Sequence, residues 1–447
     1  MMSSPTAFPF VRALQQRGAR VYTVGGTVRD ELLGHPRKDL DLLVTGVPQD
    51  ELVRFLRRYG RVQLTGRAFG VIKLTPRDWE GPPIDIALPR TEISTGIGHR
   101  DFEVTFDHTL PVEIDLGRRD FTINAMAIDL ADEHLLDPFG GYTDLQQHVL
   151  RQVNTVAFRE DPLRMLRGVQ LAARFHLRLE PATRAAMQDH AASLTTVAAE
   201  RIAEELRKLL QAWAPSQGFT LMHEVGLLAY IFPELGHLPA DAWQRALRRL
   251  DAMQQQARLQ YRGHLDLLLA ALLCESGLPA AGDALNAWHP AVAEAAAPRV
   301  RERLEALKMT TVGAHPDLVA TLVAQSAFAV AALHTPAALR HFAHAVGLPT
   351  AFMLFELRLA DRLANAPTES FADLQELCQR LQQELDQGAP LHLKALAVNG
   401  HDLQRLGIPT GPRLGQLLQI LLHHVLDDPR QNTREHLLAM AQAEAAR

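Results

Sequence analysis

The chain has 447 residues and a mass of 49.5 kDa, a length that predicts roughly two to four domains and excludes a small disulfide-stapled module. Apolar residues make up 47% and charged residues 22%, a balance typical of folded rather than disordered proteins. The 46 Lys and Arg against 51 Asp and Glu leave a net charge of −5, which argues against a uniformly basic surface that coats nucleic acid.

Cysteine usage and hydropathy narrow the class further. Cys274 and Cys378 are too few for a disulfide framework or a cysteine-rich zinc site. The first residues carry no basic stretch followed by an apolar one, and the sequence contains no run of about eighteen apolar residues. We therefore expect a soluble, cytoplasmic protein with neither a signal peptide nor a membrane span.

The first 150 residues alternate between short β-rich runs and a helical pattern. Gly and Pro separate the runs, and a helix is predicted over about 48–59. The predicted strands are 21–24, 40–44, 71–74, 84–87 and 149–153. This region should form a domain of mixed helices and strands.

Beyond residue 150 the pattern becomes helical. Apolar residues recur every three or four positions, as in Leu163, Leu166 and Val169. The whole chain is thus predicted to be an α+β protein with an all-α second part, and a glycine- and proline-containing break at 387–390 sets off its last segment. The predicted divisions are a head (1–150), a neck (151–212), a body (213–386) and a tail (387–447).

A glycine-rich turn follows the first predicted strand. Gly25 and Gly26 would let backbone amides approach phosphate oxygens closely, and Arg29 would supply a positive charge to the same anion. This turn predicts a phosphate-binding site.

Acidic residues begin the next predicted strand. Asp39 and Asp41 lie two positions apart, so on a strand they would project side by side and repel unless a cation lay between them. Hard oxygen ligands suit Mg²⁺, which activates a hydroxyl and stabilises the leaving oxygen in phosphoryl transfer. Asp85 could complete this site or accept the proton of the nucleophile. A lone Asp-x-Asp is often a solvated strand edge, but the glycine turn upstream favours the catalytic interpretation.

Further motifs follow in order along about the first 210 residues, so that the set comprises 25–30 with 39–41, 118–125, 137–145, 160–167 and 200–205. Together they resemble the class II tRNA nucleotidyltransferase and bacterial poly(A) polymerase superfamily, whose members add nucleotides to RNA 3′ ends without a nucleic-acid template. This resemblance implies a polymerase-β-like nucleotidyltransferase head with a mixed sheet.

The second motif is predicted to bind nucleotide. Arg118 and Arg119 can pair with triphosphate oxygens, while Asp120 and Asn124 offer hydrogen-bond partners to a ribose hydroxyl. The resemblance assigns this motif to ribose recognition. The alternative is a surface salt-bridge cluster. The third motif, at 137–141, is predicted to be a structural turn between strands.

The fourth motif suggests how a base is chosen without a template. A helix beginning near residues 160–162 would place Asp161 and Arg164 side by side. The resemblance implies that this acceptor and donor mimic a Watson–Crick edge, with Arg167 reaching phosphate or stacking near the base. An ordinary helix start with an ion pair is the alternative. Gln170 occupies a position where related sequences often carry another Arg, which puts a nucleotide-binding role of that position in doubt.

Two flanking regions extend the resemblance. Arg201 with Glu200 and Glu205 looks like the neck motif that buttresses the base-selecting pair, although such spacing also occurs in plain surface helices. Residues 151–210 carry 10 Lys and Arg against 7 Asp and Glu, a local excess that could face RNA phosphates. The loop at 89–102 corresponds to one that switches the family's pocket from CTP to ATP, and its length favours ATP use over a merely structural connection.

The helical body and tail give weaker signals. Some relatives carry a metal-dependent HD phosphohydrolase domain, but here Cys274-Glu275 stands where His-Asp is required, so we predict that hydrolase chemistry is lost. His264 and His401 are expected to be packing or surface residues. The tail segment 399–415 could present backbone amides to a tRNA phosphate or could simply pack.

The resemblance therefore implies an enzyme that adds CCA to the tRNA 3′ end from CTP and ATP with Mg²⁺ and releases pyrophosphate. An A-only tRNA enzyme that follows a separate CC-adding enzyme, and a poly(A) polymerase, share these motifs. A non-catalytic RNA-binding protein and an HD hydrolase are alternatives of other classes. Contact with tRNA should occur through limited basic patches and weaken as salt rises.

Overall fold

The computed structural model describes residues 5–36, 39–65, 70–94, 102–278, 289–368 and 370–445. The chain divides into two compact units, one of residues 1–212 and 217–231 and the other of 213–216 and 232–447. Strands occur in the first unit, and the regular elements described in the second are helices, which confirms the α+β class. The four-part division into head, neck, body and tail stays a prediction.

The first unit is built around a mixed sheet. Its strands are β1 (Arg20–Val24), β2 (Asp41–Thr45), β3 (Gly60–Thr65), β4 (Val71–Pro76), β5 (Ile84–Ala87), β6 (Arg90–Ser94), β7 (Phe102–Phe106), β8 (Ala127–Asp129), β9 (Leu135–Leu136), β10 (Val149–Leu150) and β11 (Arg178–Leu179). The main sheet has the order β3-β4-β5-β2-β1-β8-β9. Strands β2 and β5 run parallel, and the other neighbouring strands run antiparallel. Separate pairs form between β6 and β7 and between β10 and β11.

Helices surround this sheet and continue the chain beyond it. They are α1 (Pro9–Gln15), α2 (Gly26–Leu32), α3 (Gln49–Leu56), α4 (Val112–Gly117), α5 (Gly141–Gln146), α6 (Ala157–Glu160), α7 (Leu163–Phe175), α8 (Pro181–His190), α9 (Ala199–Leu210), α10 (Pro215–Glu224) and α11 (Leu228–Ile231). The residues of α10 from Gln217 onward belong to the first unit. The helix predicted over 48–59 is confirmed as α3.

The central strands are buried on both faces because successive side chains point to opposite sides of a sheet. Val21 and Leu42 belong to one buried cluster, and Tyr22 and Leu43 belong to another. Since β1 and β2 are antiparallel, the end of β1 and the start of β2 lie at the same edge of the sheet. That edge places the glycine turn after β1 beside Asp41.

The third motif folds differently from the prediction. The turn at 137–141 leads from β9 into α5, not into another strand. The carboxylate of Asp137 accepts hydrogen bonds from the amides of Gly141 (2.6 Å) and Tyr142 (2.9 Å). These amides belong to the first turn of α5 and have no acceptor within the helix. The prediction of a turn between strands was wrong because this capping by Asp137 favours a helix start.

The second unit is helical in its described part. Its helices are α12 (Pro233–Gly236), α13 (Ala240–Gln255), α14 (Leu265–Leu273), α15 (Pro290–Ala306), α16 (Pro316–Gln325), α17 (Pro336–Val346), α18 (Leu348–Asn365), α19 (Ala372–Asp386), α20 (Gly400–Arg405), α21 (Pro412–Asp427) and α22 (Arg434–Ala445). Every residue of α14 is buried, as expected for a core helix that packs against α13, α16 and α18. Within the described ranges, no helix has both the length and the hydropathy to span a membrane.

Candidate active site

A polar cavity of about 610 Å³ opens in the first unit. Its volume lies within the range of pockets that hold nucleotide-sized ligands. Each predicted nucleotide-binding residue except Gly25 lines it, as does Asp39. Its lining residues are Gly26, Arg29, Asp39, Arg90, Arg118, Arg119, Asp120, Asn124, Glu160, Asp161, Arg164, Arg167, Gln170, Leu171, Arg174, Arg201, Glu205 and Lys208. Segments far apart in sequence thus meet around one space.

Gly25 allows a close approach at the end of β1. Its φ of +71° lies in a region that L side chains rarely adopt, and a Cβ there would be 2.4 Å from Nη1 of Arg119. A side chain at this position would therefore be strained and would push the Arg119 guanidinium away from the turn.

Arg29 is held rigidly at the cavity wall. Its Nε and Nη2 donate to Oδ1 of Asp30 (2.9 and 2.6 Å), and its Nη1 donates to Oδ1 of Asn124 (2.7 Å). The guanidinium also lies 4.3 Å from the centre of the Phe175 ring. Burial lowers the pKa of Arg29, but an arginine keeps its charge at neutral pH. The cavity therefore has a fixed cation here.

Arg118 and Arg119 share one buried carboxylate. Oδ1 of Asp115 accepts from Nε and Nη2 of Arg118 (2.8 and 2.6 Å), and Oδ2 accepts from Nη2 of Arg119 (3.2 Å). Burial would raise the pKa of Asp115, but Arg119 and Arg118 outweigh it and hold the pKa below its usual value. Because Asp115 is fully buried, this group is not a surface cluster. Sequence reasoning missed Asp115, although its spacing of three and four residues from the arginines was a signal.

Asp120 and Asn124 form a fixed pair. Oδ1 of Asp120 accepts from Nδ2 of Asn124 (3.1 Å), and Oδ2 accepts from Nη1 of Arg167 (3.1 Å). Burial would raise the pKa of Asp120, but Arg167 and Asn124 together hold it below its usual value. Asn124 thus bridges Asp120 and Arg29, and its side chain is oriented by both.

The predicted catalytic acids lie at one sheet edge. Strand β2 begins at Asp41, so Asp39 precedes the strand, and the expectation that both acids project from it was wrong. Asp41 and Asp85 are register partners on the parallel strands β2 and β5. Nζ of Lys73, on β4, donates to both carboxylate oxygens of Asp85 (2.8 and 3.0 Å). Sequence reasoning missed Lys73, whose position follows from the pairing of β4 with β5.

Electrostatics at this edge favour a bound cation. Burial raises the pKa of Asp41 to about 6, the charges of Asp85 and Asp39 add to the rise, and Arg119 opposes it. In the described part of the chain, no three His, Cys, Asp or Glu side chains are placed to hold a metal. Carboxylates are nevertheless the hard oxygen ligands that divalent cations prefer. The chemistry of Asp39 and Asp41 therefore suits a divalent metal ion.

The predicted base-selecting residues are each held by other groups. Helix α7 begins at Leu163, directly after Pro162, as predicted. Nη1 and Nη2 of Arg201 donate to the two oxygens of Asp161 (3.1 and 2.7 Å). Arg164 donates from Nη1 to Oε2 of Glu160 (3.1 Å) and from Nη2 to the carbonyl of Arg118 (2.8 Å). Both side chains line the cavity in fixed orientations.

Some lining residues were missed from the sequence. Arg174 and Lys208 face the cavity, and helical spacing from Arg167 and Glu205 could have identified them. Arg90, which begins β6, also lines the cavity. Of the predicted nucleotide-switching loop at 89–102, Arg90–Ser94 form β6 and Phe102 begins β7, whereas 95–101 lie outside the described residues.

The predicted degenerate centre of the second unit contains an arginine. Glu275 is fully buried and accepts from Arg249 (3.3 Å) and from Arg245 (2.8 Å). Nη1 of Arg249 also donates to Oδ1 of Asp361 (2.9 Å). Burial raises the pKa of Cys274 to about 11. A guanidinium thus lies between the carboxylates, and loss of hydrolase chemistry stays a prediction.

The tail segment 399–415 contains α20 and the start of α21. Asn399 caps α20 by accepting from the amides of His401 (2.9 Å) and Asp402 (3.3 Å), and Asp402 accepts from the Asn399 amide (3.0 Å). His264, which directly precedes α14, and His401 are both exposed, in agreement with a surface position. The caps of α20 fit a packing role of the tail segment, and a tRNA contact by the tail stays a prediction.

Comparison with known proteins identifies the family. Family models match for the poly A polymerase head domain (21–151), the RNA and SrmB binding site of polymerase A (176–238) and domain 2 of tRNA nucleotidyltransferases (339–441). The multifunctional CCA protein of Xanthomonas campestris pv. campestris (strain B100) is 42% identical over 224 residues, 49% of this chain and 52% of that protein, so the chain spans about half its length.

Two further similarities cover nearly the whole chain. The crystal structure of the Bacillus stearothermophilus CCA-adding enzyme in complex with CTP aligns with a TM-score of 0.72 at 25% identity, over 99% of this chain and 98% of that one. The CCA-adding enzyme of Latilactobacillus sakei subsp. sakei (strain 23K) is 32% identical over 444 residues, 97% of both chains. The chain therefore belongs to the CCA-adding enzyme family of tRNA nucleotidyltransferases.

Proposed function

We propose that this protein adds CCA, or its terminal A, to the tRNA 3′ end from CTP and ATP, without a nucleic-acid template and with release of pyrophosphate. The observation that carries the proposal is the meeting of the second, fourth and fifth motifs and the glycine turn around one cavity rich in arginine. The names of the relatives and the CTP complex of the Bacillus stearothermophilus enzyme support it. Action on tRNA implies a cytoplasmic location.

The arginines provide the site for the triphosphate. Arg29 and Arg119 lie beside the glycine turn, and Arg118 shares Asp115 with Arg119. Nε of Arg119 is buried without a hydrogen-bond partner in the described residues, so it retains a donor for a phosphate oxygen. Asp120 and Asn124 lie next to this group, in a position to bind the ribose.

The carboxylates provide the chemistry of transfer. Asp39 and Asp41 would hold Mg²⁺, which when bound neutralises phosphate charge and favours ionisation of the attacking 3′-hydroxyl. Asp85 extends the negative edge beside Asp41, and Lys73 fixes its orientation. The acids thereby position the tRNA 3′-hydroxyl toward the α-phosphate.

Base selection is assigned to Asp161 and Arg164. A carboxylate accepts from the exocyclic amine of cytosine or adenine, and a guanidinium donates to the adjacent ring nitrogen. The bidentate ion pair with Arg201 and the contacts of Arg164 with Glu160 keep the two groups in place. A rigid protein edge of this kind can replace a template base.

Nucleotide incorporation into tRNA tests the proposal. We expect wild-type protein to extend tRNA that lacks CCA, and Asp41→Ala to lose about 10³-fold of that activity because the cation loses a ligand. Incorporation by Asp41→Ala at the wild-type rate would contradict the mechanism. Long products with ATP alone would instead indicate a poly(A) polymerase, and addition only to tRNA ending in CC would indicate an A-only enzyme.

A further inference from the structure

Gln170 is an unusual residue in the cavity wall. Its side chain is 3% exposed and lines the cavity, and its Nε2 has no hydrogen-bond partner in the described residues. Buried amide donors are nearly always paired, because an unpaired donor costs free energy. A partner from outside the chain is therefore expected when the cavity is filled.

The contacts of α7 indicate which part of a ligand lies near Gln170. Near the start of the helix Arg164 contacts the carbonyl of Arg118, and one turn later Arg167 contacts Asp120. At the end of the helix Phe175 lies under the Arg29 guanidinium. The helix therefore runs from the base-selecting end of the cavity toward its triphosphate end, and Gln170 lies one turn beyond Arg167 in that direction.

The charges around Gln170 favour an anionic partner. Arg174 follows one turn later on α7, and its charge reaches Arg29, where it contributes to the lowered pKa. Lys208 also lines the cavity. Several acids line the same cavity and are paired with cations: Glu205 contacts Lys208 (3.0 Å) and Arg167 (3.6 Å) through Oε1, and Asp120 contacts Arg167 (3.1 Å). A neutral donor among several cations is suited to a phosphate oxygen.

We propose that Nε2 of Gln170 donates a hydrogen bond to a non-bridging oxygen of the triphosphate of the incoming nucleotide. This inference rests on the proposed function. Because CTP and ATP share the triphosphate, the contact strengthens binding of both without distinguishing their bases. Gln170 is thus a ligand-binding residue at a position where sequence comparison alone leaves the role open.

The test is nucleotide binding by the full-length protein, measured by calorimetry without tRNA. Gln170→Met keeps the length of the side chain and removes its donor. We expect its affinity for CTP and for ATP to fall by about tenfold each, with CMP affinity unchanged. The thermal midpoint should stay equal or rise, because a buried unpaired donor has been removed. Gln188→Met, at an exposed glutamine of α8, is the matched control and should leave CTP affinity unchanged.

Other outcomes would overturn the inference. Equal losses for CMP and CTP would place the contact at the ribose or base, and weaker tRNA binding with unchanged CTP affinity would assign it to an RNA phosphate. A lower thermal midpoint with unchanged CTP affinity would show that Gln170 instead pairs with Glu205. Wild-type protein that binds CTP but never adds it to tRNA would contradict the proposed function and leave the Gln170 contact standing.

Discussion

Arg249 in the second unit and Arg119 in the first both lie beside carboxylates, but the two guanidinium groups differ in the hydrogen bonds that they leave open. In the second unit, every guanidinium nitrogen of Arg249 donates to the Ala271 carbonyl, Glu275 or Asp361. In the first unit, Arg119, Gln170 and Glu205 line the cavity, and each keeps one buried polar atom without a partner in the described residues. A cluster that satisfies itself holds a core together, whereas one with open donors and acceptors is prepared for a ligand.

If the Arg249 cluster is structural, breaking it should reduce stability and leave binding intact. We expect Arg249→Met to lower the free energy of unfolding by about 3–5 kcal/mol, because Glu275 and Asp361 would remain buried without their cation. Urea unfolding measures this change, and Arg301→Met, at an exposed arginine of α15, should change it by less than about 0.5 kcal/mol. A stable Arg249→Met protein with weakened CTP binding would contradict a purely structural role of the Arg249 cluster.

A substitution at the cavity should instead reduce catalysis. Gly25→Ala is expected to reduce kcat/KM for CTP by about 100-fold, because the new Cβ would displace the Arg119 guanidinium from the turn. Gly18→Ala is the matched control, since Gly18 also has a positive φ (+84°) but nothing lies within 4 Å of its added Cβ. It should lose stability from backbone strain and keep kcat/KM. Equal kinetic losses in both variants would assign the effect to strain alone.

A smaller loss of activity is expected from removing Arg201, which holds the base-selecting Asp161 in place. Arg201→Met should reduce kcat/KM for CTP about tenfold and weaken discrimination against UTP, because Asp161 loses its bidentate partner. Misincorporation assays on tRNA measure both quantities. Arg207→Met, on the same helix but paired with the exposed Glu204, should behave as wild type. Unchanged selectivity in Arg201→Met would show that Arg201 is not needed to hold Asp161 in place for base selection.

Local patterns predicted much of the cavity, and long-range contacts account for the rest. Neighbouring residues determine the turn at Gly25, the arginines at 118–119 and the helix start near Asp161, so the sequence predicted these features. Lys73 reaches Asp85 only through pairing of β4 with β5, and Phe175 reaches Arg29 from another element. The sequence pattern does not contain these contacts.

The first residue of a strand or helix was harder to predict from the sequence than the presence of that element. The start of β2 depends on its pairing with β1 and β5, which places Asp39 before the strand. The start of α5 depends on the contacts of one carboxylate, Asp137, with the helix amides. Each was mispredicted because the start of β2 depends on pairing with distant strands, and the start of α5 depends on a side-chain cap that the local pattern did not reveal.

The most direct test of the proposed activity is the sequence of the RNA 3′ ends that the protein produces. Purified protein would be incubated with CTP and ATP and with tRNA that lacks CCA, ends in CC or already carries the mature terminal A. We expect that the tRNA ending in CC gains one A, that mature tRNA stays unchanged and that tRNA lacking CCA gains CCA if the protein adds all three nucleotides. Extended poly(A) tails, or no addition to any of the three tRNAs, would contradict it.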